Sequence, residues 1–156
     1  MKKILSILSL LGVVIMFGTL TGCSGDVGNK NNNCSECIKC NEFEVGETFE
    51  LDGVIYTIAD RKMLVKALEN GEDLTKYCTS KVSNMSKMFN WETSFNQDIG
   101  NWDVSDVTDM RWMFSANKHA KISFNQDLSQ WCVSKIPSIP VKFSARSWLT
   151  PANQPV

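Results

Sequence analysis

The chain has 156 residues, of which 16 are basic and 17 acidic, giving a formal net charge of −1. Neutralisation of phosphates by an excess of basic side chains therefore cannot drive binding, which excludes nucleic acid as a partner. The length allows one modest domain.

The N-terminus has the features of a bacterial lipoprotein signal peptide. Lys2 and Lys3 precede an apolar run that ends in Leu-Thr-Gly-Cys at residues 20–23. A basic start, an apolar core of this length and small residues before the cut are typical of a secreted precursor rather than of a membrane-spanning helix. The last four residues resemble a lipobox, which predicts a signal peptide over residues 1–22 and lipidation of Cys23. The alternative is an ordinary secreted protein with an incidental cysteine.

A lipid on Cys23 predicts attachment to a membrane at the cell surface. The membrane that holds the anchor is the outer membrane or, in a cell with one membrane, the outer face of the plasma membrane. Removal of residues 1–22 takes away two lysines and no acid, which changes the formal net charge from −1 to −3. Residues 23–42 are predicted to be a flexible tether that carries a cysteine cluster, because residues 24–33 are too polar to be buried.

Cys34, Cys37 and Cys40 form the one cluster suited to chemistry. Two-residue gaps between thiols are metal-ligand spacing, and a zinc or iron–sulfur site would need one more ligand. The candidates for that ligand are Cys78, Cys132 and His119. Outside the cytoplasm cysteines usually pair, so disulfides are the favoured alternative, with a free reactive thiol as the third. No cofactor is predicted.

Residues 43–76 are predicted to form a β-hairpin and a helix. Apolar residues alternate around the turn signal Asp52-Gly53 as far as Ile58. Asp60 is placed to cap a helix that ends at Asn70-Gly71. Hairpin and helix together are expected to cover the first repeat of the array that follows, since an open apolar end invites aggregation.

Residues 77–156 contain an internal repeat. The string Phe-Asn-Gln-Asp at 95–98 returns at 124–127, and Trp102 returns as Trp131, both at an offset of 29 residues. Four apolar positions recur at an offset of 25 residues and then, more weakly, a third time. They are Val82, Met85, Met88 and Phe89, then Val107, Met110, Met113 and Phe114, then Ile136, Ile139, Lys142 and Phe143.

Repetition at this period is the signature of a solenoid, in which each unit buries its apolar face against the next. The apolar positions from Val82 to Phe89 have helical spacing, whereas Trp102 and Val104 alternate with polar residues as in a strand. The predicted fold class is therefore α/β: a short leucine-rich-repeat-like solenoid of about three rungs, each with short strands and a helical turn. The N-terminal hairpin and helix are its cap.

Equivalent positions in the repeats also constrain the disulfides. Cys78 and Cys132 lie two rungs apart, so their Cα atoms are expected about 10 Å from each other. A disulfide requires less than about 7 Å. We therefore expect Cys78 to bond to the N-terminal cluster and Cys132 to stay unpaired.

Trp91 and Trp112 are the candidate partner-binding residues. Trp112 replaces Lys87 of the preceding repeat, and Trp91 lies after the predicted helical turn. Aromatic residues that do not repeat are better candidates for a binding surface than those that do, because the repeating aromatics are what a stacked core requires. The repeating aromatics are Phe89, Phe114, Phe143, Trp102 and Trp131.

Polar residues of the repeats offer two weaker alternatives. Closely spaced carboxylates are suited to Ca²⁺, but the same residues are suited to satisfying backbone groups in turns, which is the favoured interpretation. These carboxylates belong to Asp98, Asp103, Asp106, Asp109 and Asp127. His119 is the one histidine and has no identifiable nucleophile beside it in the sequence, so no catalytic residue is predicted.

The string from Trp102 to Met110, followed by Met113-Phe114 and preceded by Phe95–Ile99, resembles the BspA-type leucine-rich-repeat surface proteins, whose repeat is often filed as a domain of unknown function. The resemblance extends roughly over residues 54–156. It implies a surface-exposed repeat domain with a role in binding or adhesion and no catalytic residues. Such relatives run a few residues further to a terminal cysteine, which would account for the odd number left after lipidation of Cys23.

The favoured function is thus a lipid-anchored surface module that is not an enzyme and binds a protein or glycan partner through its repeats. The alternative is a redox or metal-binding lipoprotein centred on Cys34, Cys37 and Cys40. A third possibility is a degenerate repeat protein with no binding role.

Overall fold

The computed structural model describes residues 13–15, 37–116, 119–136, 138, 140–145, 154 and 155. Their named strands form one sheet in the order β1 (Val13–Ile15), β2 (Thr48–Leu51), β3 (Val54–Ile58) and β4 (Tyr77–Cys78). β1 is parallel to β2, β2 is antiparallel to β3, and β3 is parallel to β4. Within these described ranges, no helix is both long enough and apolar enough to cross a membrane.

The predicted β-hairpin is present. β2 and β3 pair from Thr48 with Thr57 to Leu51 with Val54. Asp52 and Gly53 both have positive φ values, 51° and 80°, as the two-residue turns that suit hairpins require. The rings of Phe43, Phe49 and Tyr56 stack on one face of the hairpin.

The predicted helix is present as α1 (Arg61–Glu69), with Asp60 as its N-cap. The Asp60 carboxylate accepts the backbone N–H of Met63 at 2.8 Å. Leu64 and Ala67 are buried against the repeats. A 3₁₀ helix (Leu74–Lys76) then leads into β4, which joins the hairpin sheet to the first repeat.

Backbone hydrogen bonds join each repeat to the next. Taking the tryptophan positions as starting points, the first repeat is residues 77–101, the second 102–130, and the third begins at Trp131. Between the first two repeats, three N–H groups donate to carbonyls 24 residues on: Met85 to Asp109, Lys87 to Arg111, and Phe89 to Met113, at 2.8–3.0 Å. Equivalent bonds run from Trp112 to Val141 and from Phe114 to Phe143.

The core is a stack of equivalent side chains. The rings of Phe89 and Phe114 stack at 5.2 Å between centroids, and those of Phe95 and Phe124 at 5.7 Å. Each buried tryptophan donates its indole N–H to the carbonyl of the residue three positions before the start of the preceding repeat. Trp102 bonds to Leu74 and Trp131 to Ile99, at 3.1 and 3.0 Å. These paired contacts show that the units stack in register at these positions.

The helical spacing of the repeat sequence does not produce a helix. The segments 86–91, 111–114 and 141–145 are turns. Lys87, Trp112 and Lys142 have φ values of 58°, 62° and 55° at equivalent places in these turns. A residue in the left-handed region interrupts a right-handed helix, so the apolar side chains are directed inward by a tight turn instead. The predicted strands of the repeats are short: the two-residue β4 in the first repeat and an isolated bridge between Ile38 and Trp102 in the second.

The third repeat is shifted by one residue from the alignment predicted from the sequence. Met88 and Met113 close the first two turns by donating to the third residue before them, and Phe143 does the same to Pro140. Phe143 is therefore equivalent to Met113, not to Phe114. Its ring meets Phe114 edge-on, at 88°, whereas Phe114 stacks almost parallel to Phe89.

Candidate functional site

The segment Cys37–Cys40, which we call the strap, runs across the stacked repeats. At one end Cys37 packs against Cys132, just after the start of the third repeat. Ile38 forms a parallel bridge with Trp102, at the start of the second repeat. The strap thus lies across the edge of the stack rather than along a single repeat.

At its other end the strap is bonded to the first repeat. Cys40 and Cys78 form a disulfide with a Cα–Cα distance of 6.3 Å. The Cys40 N–H donates to the Ser80 hydroxyl at 3.1 Å. Cys78 thus pairs within the N-terminal cluster, as the distances between repeats predicted.

The prediction that Cys132 stays unpaired is wrong, because Cys132 and Cys37 are both disulfide-bonded. The spacing of the strap explains why Cys132 is within reach. Three residues of extended chain span about 10 Å, which equals the separation of two strands on either side of a third. Cys37 therefore reaches the third repeat when Cys40 is at the first. Cys23 and Cys34 lie outside the described residues.

The carboxylate of Asp103 is buried in the second repeat, at the position that Cys78 occupies in the first repeat and Cys132 in the third. Asp103 follows Trp102 as Cys78 follows Tyr77, and it is 2% exposed. Its oxygens accept hydrogen bonds from the hydroxyls of Ser80 and Ser105, each at 2.7 Å. Asp103 therefore connects the first two repeats by hydrogen bonds. The first and third repeats have a cysteine at the same position.

The cysteines that the structure describes are engaged in disulfides, so their sulfur atoms are not available as thiolate ligands. Over the same described ranges, no group of three or more His, Cys, Asp and Glu side chains is arranged to hold a metal ion. His119 is exposed and lies in the loop where the second repeat is longer than the first.

The aspartates considered for Ca²⁺ mainly satisfy turns. Four of them accept a backbone N–H from the second residue ahead: Asp98, Asp103, Asp109 and Asp127. The fifth, Asp106, forms an ion pair with Lys135, which is equivalent to it in the next repeat. Their positions follow from the geometry of the turns and need no ion.

The two candidate tryptophans differ in their surroundings. Trp91 is 59% exposed and has a φ value of 76°. Its N–H donates to the Ser115 carbonyl at 3.1 Å, which places it beside the small Ala116 of the next repeat. A bulky residue in the left-handed region costs about 1–2 kcal/mol, and a side chain this exposed recovers little of that cost by burial.

Trp112 is half-buried and lies in a column between two lysines. The ladder places Lys87 beside it on one side and Lys142 on the other. The Lys142 ammonium lies 4.2 Å from the centre of the Trp112 ring, a cation–π contact. One face of Trp112 is therefore occupied by the chain's own cation, so Trp91 is the better placed of the two to meet a partner.

Arg61, which sequence analysis did not single out, covers the outer edge of the first repeat. Its guanidinium donates to the carbonyls of Asn84 and Ser86 at 3.0 and 2.6 Å. The equivalent carbonyls of Asp109 and Arg111 accept backbone N–H groups from the first repeat. Arg61 thus supplies the donors that a preceding repeat would supply. In the sequence, the only indication of this role was the arginine at the first position of the predicted helix.

Asp109 and Tyr77 have the most strongly shifted pKa values among the described residues. Hydrogen bonds from the Arg111 side chain and then from its backbone N–H lower the pKa of Asp109 to about 2. The hydrogen bond to Glu72, with burial and the charge of the same carboxylate, raises the pKa of Tyr77 to about 12. Both groups stabilise the turns around them in the protonation states found near neutral pH.

Comparison with known proteins identifies a family for most of this structure. The family described as "Mycoplasma protein of unknown function, DUF285" matches residues 60–154. No curated protein and no solved structure matches the chain. The matched region starts at the N-cap of α1 and extends through the repeats, so the helix belongs to the same family unit as the stack. The match covers more than half of the chain, and the protein is a member of the DUF285 family.

Proposed function

We propose that the protein is a lipid-anchored bacterial surface protein whose repeats form a non-catalytic binding or adhesion module for a protein or glycan. Within the DUF285 family, the proposal assigns it to the BspA-type surface proteins that residues 95–114 resemble. The anchor rests on the Leu-Thr-Gly-Cys string that ends at Cys23.

The exposure of Trp91 is the observation that carries the binding role. Trp102 and Trp131 are each 1% exposed and have their indole N–H bonded inside the stack, whereas Trp91 is 59% exposed. An exposed indole in a strained backbone conformation adds little to stability. Such residues are the anchors through which partners are held, because one of them offers a large contact area.

We further propose that the repeats form a short solenoid. Two observations support this. The indole hydrogen bond of Trp102 recurs one repeat later at Trp131, and the stacked Phe89 and Phe114 are equivalent positions of neighbouring units. Arg61 and α1 would be its N-terminal cap.

Processing at Cys23 would change the sheet. β1 (Val13–Ile15) lies inside the segment that the proposal removes, and β2 is its partner. In the processed protein β2 would be an edge strand.

The alternative of a metal or redox centre on the cysteine cluster is less well supported. The sulfur atoms of Cys37, Cys40, Cys78 and Cys132 are in disulfides. Cys40 and Cys78 are each 1% exposed, and thiol–disulfide exchange requires access for an attacking thiolate. These disulfides are better explained as structural links.

The test has two parts. The intact mass of the protein taken from its own membranes, under non-denaturing conditions, should show a lipid adduct and a gain of two hydrogens per disulfide on reduction. Binding to arrays of extracellular proteins and glycans should then fall in Trp91→Ala and stay unchanged in Ile55→Ala, a control at an exposed apolar position in the hairpin. A metal adduct with reduced cysteines would contradict the proposal.

A further inference from the structure

We infer that the ligand of this surface is an acidic polysaccharide, with Trp91 as the stacking platform and Lys87 and Lys142 as the groups that pair with its carboxylates. The inference rests on the proposed binding role and names the class of ligand. We call the four residues Lys87, Trp91, Trp112 and Lys142 the lysine–tryptophan face.

The first step is the arrangement of the cations. Lys87, Trp112 and Lys142 occupy equivalent places in three successive turns, and backbone hydrogen bonds join Lys87 to the second repeat and Trp112 to the third. Neighbouring members of such a column are about 4.8 Å apart. The Cα atoms of the two exposed lysines are thus about 10 Å apart along the stack, and the Lys142 ammonium lies over the Trp112 ring between them. Two lysines in one column suit an anion that recurs along a polymer.

The second step is the position of Trp91. It ends the turn of residues 86–91 that also contains Lys87, so one turn presents both a cation and an indole. Its neighbour in the next repeat is Ala116, a small residue that packs partly against the core. The negative face of an aromatic ring attracts the polarised C–H groups of a sugar ring, and the lysines then meet the acid groups of the polymer.

The surroundings favour a glycan over a protein. Binding hot spots in protein interfaces are enclosed by other contacts that exclude water. Trp91 is followed by the exposed Glu92 and preceded by the half-buried Asn90, without an apolar rim in its turn. The chain as a whole is slightly acidic, so the charge that attracts an anion is local: Lys87 and Lys142 are exposed, and Asp109 is neutralised by its ion pair with Arg111. Glu92 is the carboxylate that opposes such a ligand.

The experiment compares hyaluronan with the same polymer after reduction of its carboxyl groups. The full-length protein purified from its membranes is immobilised, and binding is measured at low and moderate salt. We expect hyaluronan to bind, the reduced polymer to bind at least tenfold more weakly, and added salt to weaken binding.

Variants identify the site. Trp91→Ala should reduce hyaluronan affinity at least tenfold, Lys87→Asn about threefold to tenfold, and Glu92→Gln should raise it about twofold. Ile55→Ala is the control and should leave it unchanged. The increase in Glu92→Gln separates a binding effect from a loss of folding.

Three results would overturn the inference. Equal binding of the two polymers would show that the acid groups are not recognised. Trp91-dependent binding to anionic lipid vesicles without binding to hyaluronan would make the face a membrane contact. If neither polymer binds but Trp91→Ala still lowers binding on the arrays, the acidic polysaccharide is rejected as the ligand. The proposed binding role of the repeats is then retained.

Discussion

Cys37 packs against Cys132, although the two residues lie at opposite ends of the folded chain. Three residues after Cys37, the strap is bonded to Cys78 at the other side of the stack. Sulfur thus holds the N-terminal segment to both the first and the third repeat, and the stability of the stack should depend on these bonds.

The double variant Cys40→Ser/Cys78→Ser should therefore be strongly destabilised. Closing a loop between residues 38 apart in sequence removes denatured-state entropy worth about 4 kcal/mol. Urea unfolding without reductant measures the difference. Reductant should lower the stability of the wild type by at least as much and should affect the variant less. A variant as stable as the wild type would contradict the structural role of the bond.

Arg61→Met should lower stability by about 1–3 kcal/mol. The change keeps the apolar stem but removes the charged donors that Asn84 and Ser86 use, and hydrogen bonds to charged groups fall in this range. The adjacent exposed Lys62→Met is the matched control and should change stability by less than about 0.5 kcal/mol. Equal midpoints of thermal unfolding for the two variants would show that the first repeat needs no donors from α1.

Trp102→Phe and Trp131→Phe should cost similar amounts, about 2–4 kcal/mol each. Each removes buried volume and leaves one backbone carbonyl, that of Leu74 or Ile99, without its donor. Trp91→Phe should cost less than about 0.5 kcal/mol because its side chain is mostly exposed. Chemical denaturation of the three variants checks this, and a large difference between Trp102 and Trp131 would argue against equivalent stacking.

Glycine substitutions distinguish a turn from a helix in the first repeat. Lys87→Gly should raise stability by about 0.5–1 kcal/mol because glycine adopts a positive φ without steric cost. In a helix the same change would lower stability by about 1 kcal/mol. Ser86→Gly, whose residue has no positive φ, is the control and should lower stability. The sign of the Lys87 effect in urea unfolding decides between the two conformations.

Stability should fall in acid partly through Asp109. Its pKa is about 2 in the folded state and 3.8 for an unperturbed aspartate. The stabilisation is therefore complete above about pH 4 and is lost as the pH falls toward 2. Because Arg111 is largely exposed, we expect the effect to be about 1 kcal/mol or less. Unfolding midpoints at pH 6, 4 and 2.5 should be flatter in Asp109→Asn and in Arg111→Gln than in the wild type, and unchanged slopes in both would contradict this.

Local signals in the sequence were sufficient for the N-terminal elements. Asp52-Gly53 specified the hairpin turn, and Asp60 specified the start of α1, because each acts through its immediate neighbours. The equivalences between the first two repeats were also predictable, since the Phe and Trp positions recur at one offset.

Other features depend on contacts that no local pattern encodes. The spacing of the apolar residues from Val82 to Phe89 fits a helix, but it also fits a tight turn that directs the same residues inward. Only the left-handed φ of Lys87 distinguishes the turn from the helix. The shift at Phe143 was hidden because Pro140 and Phe143 replace the methionines of the other repeats. The reach of Cys37 to Cys132 was calculable from the length of the strap, once its direction across the repeats was known.

The strap also determines how the domain would respond to mechanical force. Tension applied to the chain ahead of Cys37 enters the stack first at the disulfide-bonded Cys37, beside Cys132 of the third repeat, and then at the disulfide between Cys40 and Cys78 in the first repeat. The hairpin and α1 lie in the covalent loop between these two residues and would carry none of that tension. If the proposed lipid anchor holds the protein at the cell surface, fluid flow would load the chain ahead of Cys37 while the hairpin and α1 stay folded on the stack.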